Sequence, residues 1–94
     1  MPRFFLHVRT PYGLIEDEEG VEYPDYDKAM DEAVRGARCL MIGEVAEGSL
    51  CLHQAIEIHD AGGRHLKTVP FTEAVRLAAV PEATGEAGSG GVRL

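Results

Sequence analysis

One stretch of this chain has the length and periodicity of a long amphipathic helix. Stepped at about 100° per residue from Tyr26, the side chains of Tyr26, Ala29, Met30, Ala33, Val34, Ala37, Leu40 and Met41 gather into one broad apolar arc. Lys28, Asp31, Arg35 and Arg38 fall opposite. A single helix cannot bury such an arc on itself, so in a chain of 94 residues the flanking segments must supply the covering layer. Asp25, after Pro24, is placed to cap the free amides, and Asp27 suits the positive end of the helix dipole. Glu44 projects into the middle of the apolar arc. That predicts a helix that weakens near Gly43 and ends by Gly48.

The flanks read as strands. In "RFFLHVR", residues 3–9, Phe4, Leu6 and Val8 take one face while Arg3, Phe5, His7 and Arg9 take the other. "TPYG" at 10–13 is a turn, with Pro11 presetting the backbone and Gly13 suiting the fourth position. Leu14 to Glu16 return, Val8 facing Ile15 and His7 facing Glu16, and Val21 to Tyr23 extend the strand past a bulge. The same register would turn Asp17 inward opposite Leu6, costly for an unpaired charge, so the ladder is expected to break there with Gly20 as the flexible residue. After the helix, Ile56 and Ile58 alternate with Glu57 and His59, "DAGG" at 60–63 turns the chain, and residues 64–69 return. Phe71 is expected in the core, with Thr72 capping a short helix "EAVRLAA".

The fold expected is therefore α+β: a mainly antiparallel sheet in β-β-α-β-β order with one long helix on one face. A short C-terminal helix follows. Residues 1–80 form a single domain, and 81–94, "PEATGEAGSGGVRL", form a Gly-rich flexible tail with Val92 and Leu94 as anchor points for a partner.

Composition narrows the function. A formal charge of −7, with nine Lys and Arg spread along the chain, argues against direct nucleic-acid binding, which depends on neutralising phosphates. No apolar run approaches the roughly 20 residues of a membrane span, and no secretory leader is visible. Cys39 and Cys51 are too few for a disulfide framework and fit a reducing compartment, so the expectation is a cytoplasmic protein without membrane contact.

The most chemical-looking segment is "GLIEDEEGVEYPD", with Glu16, Asp17, Glu18 and Glu19 in succession. An EF-hand with Gly20 at its sixth position would put Ile15 first and Tyr26 last, and neither is a usable ligand. Consecutive carboxylates on extended chain also point to alternate sides, so the run reads as a solvated acidic bulge. His53, His59 and His65 are spaced six apart, with His59 and His65 expected to approach across a hairpin, but Cys51-x-His53 has no second pair to complete a zinc site. No local signature surrounds either thiol, Cys39 projects to solvent, and no phosphate-binding loop or nucleophile elbow is present. No catalytic residue, metal or cofactor is assigned.

One helix covers one side of such a sheet. The other side carries Arg3, Phe5, His7 and Arg9, with Glu57 and His59 nearby, and is the expected contact face for a protein partner. The function expected is a small acidic non-enzymatic interaction module, a homodimer or an accessory subunit. The alternative is a metal or thiol enzyme using Cys51, His53, His59 and His65.

The ordered pieces "MPRFFLHVR", "GLIEDEEGVEYPD", "AMDEAVRGAR", "DAGGR" and "VPF" resemble a group of short bacterial proteins known as a domain of unknown function. The likeness spans roughly residues 1–77; it implies the fold and brings no activity. "YPDYDKAMDEAV" is more loosely similar to the HicB-like antitoxins, which implies a protein-bound regulator. That family usually places a third strand before the helix and often adds a DNA-binding segment, neither of which is apparent in the pattern.

Overall fold

The computed structural model describes residues 1–76; the predicted tail 81–94, with Val92 and Leu94, lies outside them. The chain opens with β1 (Arg3–Thr10), β2 (Gly13–Ile15) and β3 (Val21–Glu22). The long helix α1 (Tyr26–Ala46) follows, then β4 (Ala55–His59), β5 (His65–Pro70) and a four-residue helix α2 (Phe71–Ala74). All pairings are antiparallel, in the order β2-β1-β4-β5, with β3 also pairing β1. This is the α+β arrangement that the hydrophobic patterning predicts.

The turns follow from their residues. Thr10 Oγ1 accepts from the Tyr12 amide and donates to the Gly13 carbonyl, both at 3.0 Å, which closes the first hairpin and sets Val8 opposite Ile15. At the second hairpin, Asp60 Oδ1 accepts from the amides of Gly62 at 2.9 Å and Arg64 at 2.8 Å, while Gly63 takes a positive φ of 85°. Asp25 caps α1, its Oδ1 accepting from the Lys28 amide at 2.9 Å. The helix closes on Gly48 at φ 89°: Gly48 donates to Val45 and Ser49 donates to Glu44, the double bond of a Schellman cap.

The core lies between α1 and one face of the sheet. Ala29, Ala33, Ala37 and Met41 recur every fourth residue and are buried. Three alanines in that row let the helix axis approach the sheet closely. They meet Phe4, Ile56, Ile58 and Val69, with Leu6, Val8 and Leu66 partly buried at the margin. Phe71 is fully buried, as expected, and brings α2 onto the same core.

Three expectations are corrected. The helix does not weaken at Gly43 but runs on to Ala46, because the Glu44 carboxylate is not stranded among apolar groups. It accepts from the Cys51 amide at 3.1 Å and from Gln54 Nε2 at 2.8 Å, both in the segment that follows the helix. Thr72 does not cap α2; the helix begins two residues earlier than expected, at Phe71 after Pro70, and ends before Val75, whose backbone is extended at φ −134° and ψ 155°. Val21 and Glu22 do not prolong β2 but form a separate two-residue strand against Phe4 and Arg3.

Candidate functional site on the open sheet face

The pleat of β1 sends Phe4, Leu6 and Val8 to the core and Phe5, His7 and Arg9 to the opposite face. Register then decides their neighbours. Phe5 stands opposite His59, His7 opposite Glu57, and on the next strand Glu57 opposite Thr68 and His59 opposite His65. Cross-strand partners share a face, so three histidines from three strands form a row. The His7 and His59 ring centroids are 4.6 Å apart and those of His59 and His65 are 5.4 Å apart, both edge-on. Phe5 continues the row, stacked near His7 at 6.3 Å with only 27° between the planes.

Each member is held. Arg9 Nε donates to Glu57 Oε2 at 2.8 Å, and Glu57 Oε1 lies 3.3 Å from His59 Nε2. The Glu57 side chain is only 14% exposed. The Arg9 bond holds the Glu57 carboxyl below the usual carboxylate range, against the opposing effect of burial, and the His59 contact adds to the lowering. His65 Nε2 is 2.7 Å from Thr68 Oγ1. The Asp17 amide donates to His7 Nδ1 at 2.9 Å; that nitrogen must offer a lone pair, so the proton of His7 sits on Nε2.

The acidic run now has a definite role, and it is divided. Asp17 is half-buried and structural: Oδ2 accepts from the Leu6 amide at 3.2 Å and Oδ1 from the Gly20 amide at 3.1 Å. Glu16, Glu18 and Glu19 are exposed. The ladder breaks at Asp17 as the register argument requires, between Ile15 and Val21. Gly20 lies so close to β1 that a Cβ there would sit 2.8 Å from the Phe4 carbonyl oxygen and 2.9 Å from the Phe5 ring, and its φ is +69°. The loop is thus folded against Phe5, which is half-buried.

Of the four predicted face residues, Phe5 and His7 are central, and Arg9 is tied to Glu57. Arg3 has a different task. Its guanidinium donates to the carbonyls of Glu19 at 2.7 Å and Gly20 at 3.3 Å and pairs with Glu22 at 3.4 Å, so it pins the acidic loop. Sequence reasoning missed Thr68 and Asp60 on this side; the pairing of Glu57 with Thr68 was implicit in the second hairpin's register. It also missed apolar exposure on the helix layer, where Ile42, Val45 and Leu50 stand out and, with Arg38, Met41 and Val75, line a groove of about 460 Å³.

The predicted thiol and imidazole set is not brought together. Cys51 lines a groove with Glu44, Gln54 and the first turn, His53 is exposed, and His59 and His65 belong to the sheet face. Among the described residues no group of three or more His, Cys, Asp or Glu side chains is arranged to hold a metal ion. Nor is any described helix long and apolar enough to cross a membrane.

The chain belongs to the family DUF6894, a domain of unknown function, which matches residues 3–72. No curated protein and no solved structure matches it.

Proposed function

We propose that this chain is a small, acidic, non-enzymatic protein-interaction module whose working surface is the open face of the sheet. It acts either as a homodimer or as an accessory subunit of a larger assembly. The observation that supports this reading most is the row Phe5, His7, His59 and His65 on a face that carries, apart from the acidic loop against Phe5, no covering element among the described residues. Flat rings backed by a rigid sheet provide contact area at low conformational cost, and aromatic groups are enriched where proteins bind one another. The carboxylates and imidazoles of the face are tied into ladders along it rather than turned toward a shared point, which suits contact better than chemistry. A charge of −7 further disfavours a nucleic-acid partner.

The test uses Phe5→Ser with Arg9→Glu, because Arg3→Glu would also release the acidic loop. Wild-type chain captured from its native cells is expected to bring down a stoichiometric partner, or to show a dimeric mass by light scattering. The double variant, with an unchanged circular dichroism spectrum, is expected to lose that association. A strictly monomeric wild type that captures nothing defeats the reading.

A further inference from the structure

Toward its C-terminal end α1 leaves an apolar groove of about 460 Å³, lined by Arg38, Met41, Ile42, Val45, Leu50 and Val75. Ile42 is 68% exposed and Val45 59%. Standing three residues apart, they share one face of the helix and form a continuous patch rather than a scatter of single side chains. We infer that the chain closes this groove itself, with residues 77–80, Leu-Ala-Ala-Val, lying along it and Leu77 seated against Ile42 and Val45. The inference concerns the helix layer and is independent of the open-face reading.

Four observations select this occupant. The first is position: Arg38 Nε donates to the Ala74 carbonyl at 2.7 Å, and Val75 is itself part of the lining. The chain therefore reaches Leu77 already beside the patch, and so short a tether adds little closure cost. A second copy or a separate partner would also have to give up its translational freedom. The second is direction. Val75 is extended, at φ −134° and ψ 155°, and in extended chain every second side chain points the same way. Continuing that backbone turns Leu77 toward the side that Val75 occupies. The third is length, since α1 rises about 10 Å from Arg38 to Val45 and four extended residues span about 13 Å. The fourth is chemistry. Residues 77–80 carry no polar side chain, and Pro81 and Glu82 end the apolar run where the groove ends. The one charged residue of the lining, Arg38, is engaged by the Ala74 carbonyl, which leaves an apolar wall for an apolar segment.

The test is a methyl nuclear Overhauser spectrum of the full chain, labelled at isoleucine, leucine and valine. Cross-peaks from Leu77 to Ile42 and Val45 are expected. They should persist on dilution and be absent between labelled and unlabelled chains in a mixed sample. Leu77→Ser should lower the thermal midpoint by about 4–8 °C. Ile42→Ser should lower it by a similar amount in the wild-type chain and by much less in the Leu77→Ser background, because both remove one contact. Cross-peaks found only between different chains would give the groove to a second copy, and cross-peaks from Val92 or Leu94 in place of Leu77 would give it to the end of the chain. Either result overturns the inference. So does the absence of any cross-peak from Leu77, which would leave the groove to a separate partner, and so does an Ile42→Ser effect that is equal in both backgrounds.

Discussion

Asp17 and Leu6 are joined by a bond that stands in for a strand. The Leu6 amide donates to Asp17 Oδ2 at 3.2 Å on the edge of β1 where β2 has ended at Ile15 and β3 has not begun at Val21. A side-chain carboxylate thus completes the outer edge of β1 between two short strands, and the neighbouring amide bond to His7 Nδ1 ties the same loop to the open face.

Removing that carboxylate leaves the half-buried amides of Leu6 and Gly20 without their acceptor. Asp17→Ala is expected to destabilise the fold by about 1–3 kcal/mol, whereas Glu18→Ala, at an exposed position, should stay within roughly 0.5 kcal/mol. Urea midpoints of the two variants provide the check. Equal midpoints would mean that the acidic run is solvated surface throughout.

The two glycines at 20 and 36 should respond in opposite directions. Gly20 combines φ +69° with contacts below 3.0 Å to Phe4 and Phe5, so Gly20→Ala should cost more than about 1 kcal/mol. Gly36 sits within α1, and a methyl group added there would meet nothing within 4 Å, so Gly36→Ala should stabilise by about 0.5–1 kcal/mol. Thermal melts of both, run together, separate a steric glycine from a permissive one.

Glu57 sets an acid limit. Because its folded carboxyl is held low by Arg9, folding favours the ionised form. The resulting stability is fully present above the unfolded carboxyl value of about 4.3 and is lost as pH falls through the lower folded value. Glu44 behaves likewise, held low first by Gln54 and then by the Cys51 amide. Wild type should therefore lose stability more steeply than Glu57→Gln below about pH 4.3, measured by urea midpoints along the pH series. Parallel curves for the two proteins would show that the Arg9 bond contributes nothing.

Phe71 fills the core from outside the helix–sheet pair and is fully buried. Phe71→Ala should cost about 3–5 kcal/mol, a large share of the stability of so small a domain. Phe71→Leu, which retains most of the volume, should cost distinctly less. Hydrogen exchange on β4 and β5 would report the loss where it occurs.

What the sequence made legible was local or periodic. Val8 opposite Ile15, the Asp25 cap, the Asp60–Gly63 turn and the helix stop at Gly48 each depend on residues a few positions apart. The break at Asp17 was legible too, since alternation alone puts its charge on the wrong face. What was hidden depends on distant partners. Glu44 looks fatal to its helix until Gln54 and the Cys51 amide come back over it. Arg3 looks like a free surface charge until the Glu19 and Gly20 carbonyls curl under its guanidinium. The face itself was half visible: alternation gave Phe5, His7 and Arg9, while the histidine row needed the β1–β4 register, which no local signal carries.

The central claim is that the open sheet face meets a protein partner, and site-specific photocrosslinking in native cells tests it most directly. A benzophenone side chain placed at the exposed Thr68 position, on that face, should yield one discrete adduct, either with a second copy of this chain or with a single partner. The same group at the exposed Asp31 position, on the outer side of α1, should yield none. An adduct from the Asp31 position with none from Thr68 would contradict the account.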